Sequence, residues 1–202
     1  MDNTQAINLQ KELAKKVISK NKLPSKIKTI CGVDVSYKND KAYCSAVILD
    51  KKSLSVIESK NSSCTVSAPY IPGLFMLREA KPILLTIKKI RDDFDVLLVD
   101  GHGVLHPRNC GLACYVGLKL DKPVIGVAKK LLCGEIQSDS KITLDGKILG
   151  YQIVNKKSIY VSIGHRINLQ TAKRIVKETI LDKNWYPEPL RIADQNSKKL
   201  RN

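Results

Sequence analysis

The chain has 202 residues, 43% of them hydrophobic, with 35 Lys+Arg against 19 Asp+Glu for a formal net charge of +16. That length is enough to bury a sizeable core, and that apolar fraction excludes a wholly disordered chain. No window approaches the roughly 18 apolar residues needed to cross a bilayer, and the polar start MDNTQAINLQKELAKK lacks the apolar middle of a signal peptide, so a soluble protein with no membrane partner is expected.

Ile7, Leu9, Leu13, Val17 and Ile18 recur at roughly helical spacing and predict a helix over 6–22, ended by Pro24. Residues 28–37 (KTICGVDVSY) alternate and are rich in β-formers, which predicts a strand; 42–49 and 54–66 follow as strands after polar turns at 38–41 and 50–52. Consecutive strands joined by short polar turns imply an antiparallel meander. Helical spacing returns over 73–91, with Pro82 as a kink or break. Residues 94–99 are nearly all apolar and suit a central strand buried on both faces, ending at Asp100 and a Gly/His/Pro loop. A helix at 110–120, a strand at 123–127, strands near 147–154 and 158–162, and helices near 168–181 and 189–200 complete the chain. Antiparallel strands followed by helix–strand alternation predict an α/β fold with a mixed sheet, residues 1–202 forming one domain.

The charge is concentrated at the ends. Residues 1–30 carry seven basic and two acidic groups, and residues 165–202 carry nine and four. Lysines at that density attract phosphate backbones by releasing counterions, although a solvated lysine-rich surface has the same composition. Aromatics are only 5% of the chain, which favours a groove contacting the backbone over a stacking platform. Six cysteines occur without a CxxC pair, so neither a zinc ribbon nor a thioredoxin-type motif is available. Cys31, Cys44 and Cys64 fall in apolar stretches and read as core residues. A reducing compartment, the cytoplasm, is expected.

Two carboxylates occupy unusual positions: Asp34 lies inside the first apolar strand, and Asp100 ends the central one. An unpaired buried charge is expensive. If the two strands are neighbours these groups meet, and Glu79 on the intervening helix can supply a third. Clustered hard oxygens suit Mg2+ or Mn2+, which can activate water for phosphodiester cleavage; salt bridges to the abundant lysines are the alternative. His102, His106, Cys110 and Cys114 recur every four residues as zinc ligands on a helix would, but Gly101, Gly103 and Pro107 argue against a helix there. Cys110 and Cys114 then belong to the buried face of the following helix. Pro69-Tyr70-Ile71-Pro72-Gly73 is a stiff turn, read either as a simple strand-to-helix connection or as a presented apolar wedge.

Four regions together resemble the endonuclease V family: GVDVSY (32–37), PYIPGLFMLRE (69–79), DGHGVLHPRNCGLA (100–113) with PVIGVAK (123–129), and GHRINLQTA (164–172) with PEPLRIAD (187–194). They run in the family's order along most of the chain. The resemblance implies a ribonuclease H-like mixed sheet flanked by helices. It implies catalytic roles for Asp34, Glu79, Asp100, Lys129 and His106, and metal coordination by Asp34, Glu79 and Asp100 with Asp194 completing the site. Lys129 matches a lysine acting at the scissile phosphate, and His106 and Arg108 match the active-site loop. Nucleic-acid contacts fall to Tyr70, Ile71 and Pro72 in a wedge, and to Phe75, Gly101, Arg108 and Gly111 around the base. Two positions depart from the family pattern: Ile163 stands where proline is common, and Cys114 where a small polar residue is.

The function so implied is Mg2+-dependent DNA repair, with Mn2+ able to substitute. A monomer recognises deoxyinosine or another deaminated base in DNA and cuts the second phosphodiester bond on its 3′ side, leaving 3′-hydroxyl and 5′-phosphate ends. Two alternatives stand beside it: an endoribonuclease acting on inosine-containing RNA, and a non-catalytic nucleic-acid-binding protein whose acidic cluster is structural.

Overall fold

A computed structural model describes residues 2–66, 68, 69 and 71–201. In chain order its elements are α1 (Asn3–Ala14), β1 (Thr29–Lys38), β2 (Lys41–Asp50), β3 (Val56–Thr65), α2 (Met76–Ile87), β4 (Val96–Asp100), α3 (Leu112–Leu120), β5 (Val124–Ala128), β6 (Glu135–Ile136), β7 (Lys141–Leu144), β8 (Lys147–Asn155), β9 (Lys157–His165), α4 (Leu169–Glu178) and α5 (Glu188–Lys199). The nine strands form one mixed sheet in the order β3-β2-β1-β4-β5-β9-β8-β7-β6. β1, β4 and β5 are parallel; every other neighbouring pair is antiparallel.

The central strand behaves as its composition predicts. Leu97 and Val99 enter the core packed by α1, α2 and α3, while Val96 and Leu98 enter the opposite core with Ile175 of α4 and Leu190 of α5. Period-two alternation with both faces apolar is what a strand covered by helices on each side requires. The meander β1–β2–β3 is also as expected. Of its cysteines, Cys31 and Cys44 are fully buried, but Cys64 is only half-buried. It lies on β3, the sheet's edge, where no residue is fully covered. Cys110 is buried as expected, although it precedes α3 rather than lying on it.

Several boundaries move for identifiable reasons. α1 starts earlier than its apolar pattern, because Asp2 and Gln5 form a reciprocal capping box. It also stops at Ala14, well before Pro24. Beyond it the chain exchanges helical bonds for tertiary ones: Ile18 N–H donates to His165 Nδ1 at 3.2 Å and Lys22 N–H to the Arg166 carbonyl at 2.9 Å. α2 is shorter than the predicted 73–91 and runs through Pro82 without ending there. The two-residue β6 and four-residue β7, which extend the far edge, have too short a pattern to be read from sequence. Among the described residues no helix is long and apolar enough to cross a membrane.

One close approach sets the position of α5. A Cβ placed on Gly32 of β1 would lie 2.3 Å from the Pro189 carbonyl carbon, so only glycine lets this helix start against the sheet backbone. The approach carries Asp194 and Ser197 over β1. Gly32→Ala is expected to lower folding stability by about 1–3 kcal/mol through overpacking, measured by urea unfolding; an unchanged midpoint would show that α5 shifts without cost.

Candidate active site

The parallel pairing of β1 with β4 places Val33 beside Val99, and the next step along both strands sets Asp34 beside Asp100. Asp34 points to the α5 side, where the Ser197 hydroxyl lies 2.9 Å from its Oδ2 and 3.0 Å from the Asp194 carbonyl. Glu79 arrives from the first turn of α2 and accepts a hydrogen bond from the Tyr37 hydroxyl at 3.3 Å. Asp34 and Glu79 are 7% and 6% exposed. Together with Asp100 and Asp194 they line one groove of about 280 Å³.

Two of these four carboxylates, Asp34 and Glu79, hold their protons more tightly than usual. Burial first, and then the Asp100 charge, push Asp34 up to about 8, against the opposing pull of Lys129 and Ser197. Glu79 is raised well above the usual carboxylate range by burial and by Asp100 and Asp34, with Tyr37 and Arg78 opposing. The internal counter-ion is Lys129, just past β5. Its Nζ is 2.5 Å from Asp100 Oδ2 and 3.7 Å from Asp194 Oδ1. Burial disfavours its charge, but the carboxylates outweigh burial and its pKa is raised. Lys198 pairs with Asp194 at 2.7 Å.

This donor set fits a hard divalent cation: carboxylate oxygens only, partly shielded, and more negative than their lysines neutralise. Among the described residues, no three His, Cys, Asp or Glu side chains already stand in ligand geometry; Lys129 occupies the space beside Asp100. The alternative zinc series does not assemble. His102 Nε2 bonds the Lys130 carbonyl at 2.9 Å, His106 Nε2 the Gly73 carbonyl at 3.0 Å, and Cys114 Sγ the Ile163 carbonyl at 3.5 Å.

A second concavity of about 420 Å³ adjoins the acidic groove and shares Phe75, Asp100 and Lys129 with it. Pro72, Gly73, Gly101, His102, Gly111 and Leu112 form much of its wall. Gly111 is required there, since a Cβ would lie 2.3 Å from the His102 carbonyl oxygen. Ile71, expected in the wedge, packs half-buried against the core, whereas Pro72 is exposed at the pocket rim. Tyr70 lies outside the described residues.

The rim loop is tied down by a network that the sequence only half reveals. The Gly73 carbonyl accepts from Gln10 Nε2 at 3.0 Å, His106 Nε2 at 3.0 Å and Arg108 Nη2 at 2.6 Å. His106 Nδ1 accepts from the Arg108 backbone N–H at 3.2 Å, so the ring is neutral with its hydrogen on Nε2. Burial and the neighbouring Arg108 lower the imidazole pKa to about 4. Gln10, unexpected from sequence, also donates to the Cys110 carbonyl and accepts from Arg108 Nε. The sequence offers one signal for it: Gln10 falls among Ala6, Leu9 and Leu13 on the helix's apolar face. Ser197 offered none, because its partner is 163 residues away.

A family model for endonuclease V matches residues 11–195. The endonuclease V of Pyrococcus abyssi is 45% identical over 191 residues, covering 94% of this chain and 88% of that protein. That of Pyrococcus horikoshii is 43% identical over 191 residues, covering 95% and 82%. Among solved structures, Bacillus subtilis endonuclease V superposes with a TM-score of 0.89 at 30% identity, covering 100% of this chain and 93% of that one. Ciona intestinalis endonuclease V, in complex with a 24mer DNA containing an inosine followed by a ribo-adenosine, gives 0.89 at 27% identity, covering 98% and 96%. The fold they share with this chain is ribonuclease H-like.

The raised Asp34 has a consequence for stability without a divalent cation. A carboxyl that binds its proton more tightly when folded contributes stability that is full below its unfolded pKa, near ~4, and is lost as pH rises through about 8. In EDTA, the melting temperature of the parent is expected to fall between about pH 5 and 9 more steeply than that of Asp34→Asn. Parallel curves for the two proteins would refute the burial-driven shift.

Proposed function

Because the chain belongs to the endonuclease V family, we propose that it is a Mg2+-dependent DNA-repair endonuclease directed at deoxyinosine, with Mn2+ able to substitute. It hydrolyses the second phosphodiester bond on the 3′ side of the lesion and leaves 3′-hydroxyl and 5′-phosphate ends. The observation that carries this reading is the shared wall between the glycine-lined pocket and the acidic groove. A base held in one sets the register of a phosphate in the other.

Asp34, Glu79 and Asp100 would hold the cation, with Asp194 completing the set, and the bound cation would supply an activated water and charge neutralisation at the phosphate. The chain's own groups do the rest. Ser197 fixes the orientation of Asp34, and Tyr37 that of Glu79. The Lys129 ammonium, already beside Asp100, is placed to offset negative charge developing on the phosphate oxygens. Hydrolysis breaks the O3′–P bond, so the phosphate stays on the downstream nucleotide.

Around the base, Gly101 and Gly111 leave room for backbone groups to approach its edge, and Phe75 borders both sites. Tyr70 and Pro72 act as a wedge that replaces lost stacking. Extrusion is cheapest for a mismatched base, which favours inosine-containing pairs. His106 and Arg108 support this wedge by holding the Gly73 carbonyl, a positioning role that needs no proton transfer.

The decisive experiment incubates purified protein with inosine-containing DNA and RNA, with Mg2+ or with EDTA. Cutting of the DNA at the second 3′ bond, abolished by EDTA, is expected. Preferential cutting of RNA would make the chain an endoribonuclease; binding without cutting would make the acidic cluster structural. Asp34→Ala and Asp100→Ala should each abolish cleavage at saturating Mg2+ while binding survives, since the lost carboxylates face a polyanion. Near-normal turnover in either would remove the metal assignment.

His106 separates positioning from proton transfer. His106→Gln keeps an N–H donor for the Gly73 carbonyl and should retain more kcat/KM than His106→Ala. With a pKa near 4, the ring should add no limb to the pH–rate profile between about pH 6 and 8. A limb in that range that vanishes in His106→Gln would make it an acid–base group instead.

A further inference from the structure

Three concavities follow one another across the parallel strands and the adjoining hairpin. The glycine-lined pocket beside β4 and β5 opens into the acidic groove between β1 and β4. The groove in turn shares Arg201 with a third, open concavity of about 520 Å³ at the β1–β2 turn. Among the described residues, the charged groups lining this third site are Lys38, Lys41 and Arg201, opposed by Asp40 alone. Lys38 and Lys41 are exposed.

These cations differ from the other lysines of the groove. Lys129 and Lys198 are engaged with Asp100 and Asp194, whereas among the described residues no carboxylate forms an ion pair with Lys38, Lys41 or Arg201. The Lys41 ammonium lies 5.5 Å from the centroid of the Tyr43 ring, which also lines the concavity. None of the three cations falls in a segment that carries the family resemblance, and Arg201 lies beyond the residues matched by the family model.

We infer that this concavity binds the phosphate backbone of the cleaved strand on the 3′ side of the cut, with Lys38, Lys41 and Arg201 as its phosphate contacts. The inference rests on the incision geometry proposed above. With the lesion in the glycine-lined pocket and the scissile phosphate in the groove, the strand enters from the β5 side. It therefore leaves toward the β1–β2 turn, and that direction is 3′. The electrostatics favour such a site. Wherever the groove's carboxylates are ionised they repel a polyanion, so a strand crossing them is held better with cations on both sides. Lys130 stands on the lesion side; the cations at the β1–β2 turn are its counterpart downstream.

The test is the salt dependence of binding to inosine-containing duplexes in EDTA, read by fluorescence anisotropy. Each phosphate contact contributes about 0.9 to the slope of log K against log salt. Lys38→Ala/Lys41→Ala should therefore flatten the slope by about 2 on a duplex with full flanks, and Arg201→Ala by about 1. The difference should vanish on a duplex ending just beyond the cut on the 3′ side and persist on one truncated equally on the 5′ side. Unchanged melting temperatures would show that the variants are folded. Loss of the effect on 5′ rather than 3′ truncation, or an unchanged slope on the full duplex, would overturn the inference. Mapping the cut made by the parent in Mg2+ separates the two levels. A cut at the second 3′ bond with no slope change removes this site alone, whereas a cut 5′ of the lesion, or none, removes the reading beneath it as well.

Discussion

The site depends on like charges held together where water cannot fully screen them. Once β1 and β4 pair in parallel with Val33 against Val99, Asp34 and Asp100 are neighbours, and Glu79 is brought to them from α2. Two unit charges about 4 Å apart interact by roughly 4 kcal/mol at an effective dielectric near 20, comparable to much of a domain's net stability. The surroundings answer that repulsion. Lys129 lies against Asp100, Ser197 reaches Asp34, and Tyr37 reaches Glu79. The proton affinities of Asp34 and Glu79 are raised because these partners do not cancel the effects of burial and mutual repulsion. A divalent cation relieves the same repulsion more completely, which is why electrostatic stress and metal fit are one property.

In the function proposed, recognition and chemistry are joined by shared walls rather than by a long pathway. Phe75, Asp100 and Lys129 border both the glycine-lined pocket and the acidic groove. The rim of the pocket is fixed from a distance by Gln10 of α1, which joins the Gly73 and Cys110 carbonyls to Arg108. α1 thus contributes to the site without a charged group in it. Its glutamine donates to the Cys110 carbonyl and adds a third donor to the Gly73 carbonyl, in keeping with the cost of leaving a buried carbonyl unpaired.

The net charge of +16 takes a more specific meaning when distributed over this surface. If the acidic groove admits a phosphodiester as proposed, compensating cations outside the carboxylate cluster attract the strand without neutralising the carboxylates. Lys129 and Lys198 are committed to aspartates; in the inference drawn above, groups free of such pairs supply the positive field that retains the strand.

Much of this was legible in the sequence alone. The alternation of KTICGVDVSY, the apolar run before Asp100 and the three polar-turned strands determine the meander and the doubly covered central strand, because strand periodicity and burial are local consequences of residue order. The acidic positions stood out for the same reason: a carboxylate inside an apolar strand conflicts with its neighbours. What the tertiary structure decided are the matters set by distant partners. α1 ends at Ala14 because residues 18–22 find hydrogen-bond partners near 165. Cys64 is half-exposed because β3 is an edge. Gln10 and Ser197 matter through contacts separated by 100 and 163 residues. Local order dictates which face of an element is apolar, but only the packed chain dictates which polar atom meets which.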